Sequence, residues 1–168
     1  MLILLCSKYA MSIPSNSTEP ALVLQKIRYF CSYQERCIKE VEGKLKEWAV
    51  QHKKIAPIVN QLQKDGYLNE ERYAKAFAGG KFRLNKWGRQ KIEFELRIRG
   101  VPELMIQEGM LEIDEKEYMQ TLKEIIIHKN NEIKPGTDVN IREKIINFAF
   151  GKGYEKDLIL SVIREMKI

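Results

Sequence analysis

The segment GYLNEERYAKAFAGGKFRLNKWGRQKIEFELRIRGV, residues 66–101, decides the fold of this chain. Asn69 is a typical N-cap residue, and Glu70 and Glu71 follow it in a first turn, where the helix dipole favours acids. Apolar residues then recur at helical spacing until a Trp-Gly pair interrupts them, and a second helical stretch ends at Gly100. The segment therefore predicts two helices joined by a short turn.

Both helices, and a third that follows them, carry an apolar face. In the first helix, i, i+4, i+7 and i+11 spacing predicts a buried stripe on Tyr73, Phe77, Gly80 and Leu84, with Ala76 beside it. In the second helix, from about Gly88 to Arg99, Ile92 and Leu96 are expected to face inward. Pro102 is suited to the first position of a third helix at 102–111.

This three-helix unit is also the most basic part of the chain. Between Asn69 and Val101, nine Lys and Arg side chains stand against four acids, an excess of five positive charges in a 168-residue chain of net charge +6. Such a surface is typical of proteins that bind a polyanion or an acidic protein. The candidate contact residues are Arg72, Lys75, Lys81, Arg83, Lys86, Trp87, Arg89, Lys91, Arg97 and Arg99.

The least compensated of these charges cluster around the Trp-Gly turn, from Lys81 to Lys91. Arg97 and Arg99 each follow an acid by four residues, which is the ordinary pairing of a solvated helix face. Arg can pair bidentately with phosphate or carboxylate, and Lys acts as a point charge. The alternative is a solvated basic face, with Trp87 packed under it as a core residue rather than as a base-stacking platform.

No motif in the sequence indicates catalysis. Gly79-Gly80-Lys81 lacks the flanking Gly and Ser/Thr of a phosphate loop, so the glycines are expected to allow close helix packing. The two His and three Cys show neither metal-type spacing nor a nucleophile–base pair. We therefore expect no enzyme, no cofactor, no metal site and free thiols. A helix-turn-helix that reads DNA is disfavoured, because the segment 102–111 contains no Lys or Arg.

The chain repeats itself at an offset of 53 residues. The stretches Arg89-Gln-Lys-Ile and Arg99-Gly-Val recur as Arg142-Glu-Lys-Ile and Lys152-Gly-Tyr, and Asp65-Gly-Tyr is a fainter copy. Each Gly is expected to end a helix in the left-handed conformation, with the next apolar residue packing back on the last turn. Repeats of this size predict stacked helical units.

We therefore predict an all-α protein of three tandem three-helix units. After a flexible lead-in at 1–19, the units span 20–68, 69–112 and 113–168. The outer helices are expected near Ala21–Phe30, Ser32–His52, Ile55–Lys64, Asp114–Asn130, Asp138–Gly151 and Glu155–Lys167. The spacing of Ser32 and Glu35 predicts a capping box for the second helix. The loop 130–137 is the clearest break in the second half of the chain.

The N-terminal residues do not predict a membrane or secretory segment. The apolar run at 2–6 is shorter than a signal-peptide core and follows no basic stretch, and Met1 and Met11 both remain candidate start residues. No later apolar run approaches the roughly 20 residues of a membrane span. We expect a cytoplasmic protein without membrane contact.

With these motifs in view, the chain resembles the RecX family of recombinase regulators. The resemblance covers about 21–111 well and the last unit loosely. The matching stretches are Tyr67-Leu-Asn-Glu-Glu-Arg-Tyr-Ala74, Lys86-Trp-Gly-Arg89 with Ile92, Glu95-Leu96 and Arg99-Gly-Val101, and upstream Cys31-Ser-Tyr-Gln-Glu-Arg36 with Glu40 and Lys44-Leu45.

The resemblance implies an elongated, curved helical protein that lies in the groove of a RecA filament on DNA. It further implies inhibition or modulation of the ATPase and strand exchange of RecA, a role in homologous recombination and the SOS response, and in some members direct binding to single- or double-stranded DNA. We expect a monomer that contacts the filament through Lys81–Lys91. A general DNA- or RNA-binding helical protein that acts without RecA, and an adaptor for an acidic protein, remain as alternatives.

Overall fold

The computed structural model describes residues 20–133 and 140–168, and these ranges are all-α, with nine helices and no strand. The helices are α1 Pro20–Tyr33, α2 Ile38–Glu47, α3 His52–Lys64, α4 Glu70–Asn85, α5 Arg89–Ile98, α6 Glu103–Met110, α7 Glu115–Glu132, α8 Ile141–Gly151 and α9 Lys156–Glu165. They pack mainly within consecutive triples, α1–α3, α4–α6 and α7–α9, which we call units 1, 2 and 3. The predicted elongated fold of tandem three-helix units is confirmed.

Several expectations from the sequence concern residues outside the described ranges. They are the lead-in at 1–19 with Cys6, residues 134–137 of the loop 130–137, and the predicted start of a helix at Asp138. The predicted loop is wrong at its start, because residues 130–132 still belong to α7. The unit boundaries at 68/69 and 112/113 stay predictions. No helix within the described ranges is both long and apolar enough to cross a bilayer.

Side-chain caps start two of the helices. The Oδ1 atom of Asn69 accepts a hydrogen bond from the Arg72 N–H at 2.8 Å, so the predicted N-cap of α4 is confirmed. Asp114 caps α7 by accepting from the N–H groups of Lys116 and Glu117. Pro102 occupies the N-cap position of α6, one residue before the helical position expected for it.

The predicted glycine turns are present in all three units. Gly66, Gly100 and Gly153 have φ values of 75°, 75° and 93°, in the left-handed region that favours glycine. After Gly100 and Gly153, the N–H groups of Val101 and Tyr154 bond to carbonyls five residues earlier, and both side chains are buried. In unit 1, Tyr67 stays partly exposed, and Leu68 is the residue that enters the core.

The expected helix Ser32–His52 and its capping box are wrong. α1 continues to Tyr33, and the Ser32 hydroxyl donates to the Tyr29 carbonyl within that last turn. α2 starts only at Ile38, after an extended Cys37. The break places Cys31 in the core of unit 1 and Cys37 against unit 2, which one continuous helix would not allow.

The predicted apolar stripe of α4 is wrong at its C-terminal end. Leu84 is 84% exposed, whereas Phe82 is 1% exposed. The face of α4 that meets α6 carries Ala74, Ala78 and Phe82, and a Cβ added to Gly109 of α6 would lie 2.9 Å from the Ala74 backbone. Close approach to α6 therefore selects this face.

Gly79 and Gly80 do not make the close helix contact expected of them. The heavy atoms nearest to an added Cβ on Gly79 belong to the Arg83 side chain on the same helix, and Gly80 faces open space. The close approach expected at these glycines is made by Gly109 of α6 instead.

The buried side chains form two cores. Unit 1 has its own core around Ile27, Val41 and Leu45. Units 2 and 3 share a second core, in which the rings of Phe82, Tyr118 and Tyr154 follow one another with centroid distances of 5.8 and 4.9 Å. Units 2 and 3 are thus joined by apolar packing.

Backbone contact between two glycines also joins units 2 and 3. The N–H groups of Gly88 and Gln90, at the start of α5, donate to the carbonyls of Lys152 and Gly153 at 2.8 and 3.2 Å. A Cβ added to Gly88 would lie 2.2 Å from the Gly153 carbonyl oxygen. The α8–α9 turn therefore caps α5, and only a residue without a side chain fits at Gly88.

Polar contacts join unit 1 to unit 2. Oε1 of Glu70 accepts from the Ile38 N–H at 2.7 Å, and Lys39 Nζ donates to the Ile98 carbonyl at 2.8 Å. Burial raises the pKa of Glu70, and the negative charge of Glu40 adds to the rise, while the Ile38 N–H lowers it.

Gly88→Ala tests the glycine contact. The new methyl group would overlap the Gly153 carbonyl, so we expect the free energy of unfolding to fall by about 1–3 kcal/mol. Gly43→Ala, at an open position inside α2, is the control and should raise it by about 0.5–1 kcal/mol. Urea denaturation measures both, and an equal response of the two variants would contradict the contact.

Glu70→Gln tests the polar contact between units 1 and 2. Because its pKa is raised from 4.5, Glu70 binds its proton more tightly in the folded chain than in the unfolded chain. The stability linked to this group is present below pH 4.5 and is lost as the pH rises through the raised pKa. The amide oxygen of the introduced Gln can still accept the hydrogen bond from the Ile38 N–H, and Gln has no charge to gain. The free energy of unfolding of Glu70→Gln should therefore rise relative to that of the wild type between about pH 4 and pH 7. A pH-independent difference would refute this role of Glu70.

Candidate interface at the turn between α4 and α5

The turn between α4 and α5 is built by a left-handed residue and a partly buried aromatic ring. Lys86 ends α4 with φ 55°, and its N–H and that of Trp87 bond back to Phe82 and Lys81 carbonyls. Trp87 packs against the shared core, and the ammonium groups of Lys81 and Lys91 lie 5.1 and 4.8 Å from its ring centroid. The ring thus holds two cations beside each other at the surface.

Five cations surround this turn without a carboxylate partner. Within the described residues, no ion pair to an acid is formed by Lys81, Arg83, Lys86, Lys91 or Lys152. Lys152 comes from unit 3, and its Nζ donates to the Asn85 carbonyl at 3.2 Å. Lys91 Nζ donates to the Gly151 carbonyl at the same distance. We call these five residues, with Trp87, the basic turn.

Lys152 was not among the residues selected from the sequence. Its Lys-Gly pair matches Arg99-Gly100 in the 53-residue repeat, which was the available signal. Nothing in the repeat indicates that the α8–α9 turn lies against the start of α5, so the contact with Asn85 depends on the tertiary fold.

Arg89 lies beside the basic turn but is neutralised. Its guanidinium pairs with Glu115 at 2.8 Å, donates to the Ile113 carbonyl at 3.3 Å and lies 4.2 Å from the centroid of the Tyr118 ring. The Arg89 N–H donates to the Tyr118 hydroxyl at 3.1 Å. Arg89 therefore connects α5 to the start of α7.

The other four predicted contact residues are engaged in ion pairs away from the turn. Arg97 pairs with Glu103 at 2.8 Å and Glu93 at 3.2 Å, and Arg99 pairs with Glu95. Arg72 pairs with Glu35 of unit 1 at 2.9 Å and Lys75 with Glu71 at 2.6 Å. The hydrogen bond to Glu71 raises the pKa of Lys75. Of the ten predicted residues, the structure gathers Lys81, Arg83, Lys86, Trp87 and Lys91 at the turn.

Single alanine variants should separate the paired cations from the free ones. Arg89→Ala removes an ion pair, a hydrogen bond and a ring contact, so we expect the free energy of unfolding to fall by about 1–2 kcal/mol. Arg83→Ala should change it by less than about 0.5 kcal/mol. Urea denaturation of both variants checks this, and equal losses would mean that Arg83 is also part of the fold.

Comparison with known proteins agrees with this architecture. Residues 69–110 match the profile of the second three-helix domain of RecX. The regulatory protein RecX of Clostridium acetobutylicum is 30% identical over 132 residues, and that of Bacillus cytotoxicus is 27% identical over 144. These matches cover 76% and 86% of the chain, which spans only 61% and 53% of the length of the two relatives.

Two crystal structures of RecX proteins share the fold. The RecX of Lactobacillus salivarius superposes with a TM-score of 0.76 over 88% of this chain and 96% of its own, at 22% identity. A second RecX structure gives the same TM-score over 84% and 70% of the two chains, at 18% identity. The matches in sequence, unit 2 profile and fold agree, and together they support a protein of the RecX family of regulatory proteins.

Proposed function

We propose that this chain is a non-enzymatic, monomeric, cytoplasmic regulator of DNA repair and recombination. It binds the RecA–DNA filament and inhibits or modulates the ATPase and strand-exchange activities of RecA, within homologous recombination and the SOS response. Similarity to RecX regulatory proteins supports this role, and the chain spans little more than half of the length of these curated relatives.

The observation that carries the proposal is the basic turn. Its five cations have no carboxylate partner and two of them, Lys81 and Lys91, lie over the Trp87 ring, whereas the neighbouring arginines of unit 2 are neutralised by acids. Phosphate groups of a DNA backbone are the partner that such a cluster neutralises best, since each contact releases a counterion. The basic turn therefore supplies the contact with the DNA of the filament.

The chemistry of the described side chains favours binding over catalysis. The buried thiols of Cys31 and Cys37 are free, and burial raises the pKa of Cys31 to about 11. A thiol with a raised pKa is protonated at neutral pH and is a poor nucleophile. The carboxyl group of Glu70, whose pKa is also raised, accepts a hydrogen bond that holds unit 1 to unit 2.

A general nucleic-acid-binding protein is the second candidate, because the same five cations would also bind DNA or RNA without RecA. The two functions differ in the ratio of affinities. A filament regulator binds RecA-coated DNA more tightly than bare DNA, and a general binder does not.

The double variant Arg83→Ala/Lys86→Ala tests the proposal. We expect its affinity for RecA filaments on single-stranded DNA to fall about tenfold or more. The slope of log affinity against log salt should also lessen by about 0.7 for each phosphate that the variant no longer neutralises. Fluorescence anisotropy with labelled DNA, with and without RecA, measures both quantities.

The matched control is Lys53→Ala/Lys64→Ala, which removes the same charge from two exposed positions of α3. It should leave filament affinity within about twofold, because it changes only the net charge. Equal effects of the two double variants would refute the basic turn as the contact. Wild-type affinity for bare DNA equal to that for filaments would favour the second candidate.

A further inference from the structure

Helix α5 has an exposed apolar face that the fold does not use. Ile92 and Leu96 face the shared core and are fully buried. On the opposite side of the helix, Phe94 is 59% exposed and Ile98 is 51% exposed. Lys91, Phe94 and Ile98 follow i, i+3 and i+7 spacing, which places them along one face of the helix.

Both ends of this face are flanked by lysines that connect α5 to the other units. At the N-terminal end, Lys91 Nζ donates to the Gly151 carbonyl of unit 3, next to Phe150, which is itself 55% exposed. At the C-terminal end, Lys39 of unit 1 donates to the Ile98 carbonyl. We call Lys91, Phe94, Ile98 and Lys39 the α5 stripe, which touches all three units.

An open groove lies at the C-terminal end of the α5 stripe. It has a volume of about 510 Å³ and lies between α2 and the α5–α6 turn. Gly43 and Gly100 form part of its wall, with open space where their Cβ atoms would be. A side chain of a partner that lies along the stripe has room to enter here.

We infer that the α5 stripe docks on the protein component of the RecA–DNA filament, on an acidic segment that carries apolar side chains. This inference rests on the proposed function, and it separates the surface that contacts protein from the basic turn that contacts DNA. Lys91 lies where the two surfaces meet.

The composition of the stripe favours protein over nucleic acid. Protein–DNA interfaces are more polar and more strongly positive than protein–protein interfaces, and contiguous exposed apolar side chains mark protein contacts. Phe94 offers a ring for base stacking, but the aliphatic side chain of Ile98 offers none.

The charges on α5 favour an acidic partner. The acids of this helix, Glu93 and Glu95, are paired with Arg97 and Arg99. Within the described residues, neither Lys91 nor Lys39 has a carboxylate partner, and each donates to a backbone carbonyl. An apolar face with a lysine at each end complements an apolar segment that carries acids.

The backbone of α5 is already fixed for such a contact. Its first N–H groups are bound to the α8–α9 turn, and the Ile98 carbonyl at its end is bound to Lys39. Docking on a helix that is held at both ends costs little additional conformational entropy.

Phe94→Ala/Ile98→Ala tests the inference in the full chain, since both side chains are exposed and their removal should not unfold it. We expect affinity for RecA filaments on single-stranded DNA to fall about tenfold or more, and affinity for the bare DNA to stay within about twofold. Leu104→Ala/Leu111→Ala is the control, because it removes two exposed leucines that lie off the stripe and outside the basic turn. Its filament affinity should equal that of the wild type.

Three results would overturn the inference. Unchanged filament affinity in the Phe94/Ile98 variant, with the wild type still binding filaments, would refute the stripe and leave the proposed function intact. Equal losses of affinity for filaments and for bare DNA would make the stripe a nucleic-acid surface. A wild-type dimer in sedimentation velocity that the variant converts to monomer, with filament affinity unchanged, would assign the stripe to a second copy of the chain. A wild type that binds no filament would refute the proposed function itself.

Discussion

Two carbonyl oxygens of the α8–α9 turn reach into the first turn of α5, and the placement of unit 3 on unit 2 depends on that approach. The N–H groups at a helix start need acceptors, and here Lys152 and Gly153 provide them. The distance is possible only because Gly88 has no side chain and Gly153 adopts a positive φ. The same contact brings Lys152 to Asn85 and Lys91 to Gly151, which completes the basic turn from two units.

The local features of the fold could be predicted from the sequence, because short-range chemistry determines them. Capping chemistry predicts the Asn69 cap and the left-handed glycines in the turns that follow α3, α5 and α8. Helical spacing predicts the inward positions of Ile92 and Leu96. The features that depend on how helices meet could not be predicted. Periodicity did not distinguish Phe82 from Leu84, since the choice depends on Gly109 approaching Ala74.

The candidate site likewise has features that the sequence predicts and features that depend on the tertiary fold. The sequence indicated a basic cluster at the turn, and it identified the pairing of Arg97 and Arg99 with acids four residues earlier. It gave no sign that Arg89 pairs with Glu115 or that Arg72 reaches Glu35, because those acids come from other parts of the fold. Tertiary ion pairs therefore reduce a basic segment to a smaller set of available cations, and Lys152 joins that set from unit 3.

The most direct test of filament regulation through the basic turn is ATP hydrolysis by RecA on single-stranded DNA while this protein is titrated below one molecule per RecA. We expect inhibition by the wild type well below equimolar ratio, and no such inhibition by the Arg83→Ala/Lys86→Ala variant. An ATPase rate that stays unchanged at every ratio of the wild type, together with tight binding to bare DNA, would contradict this function.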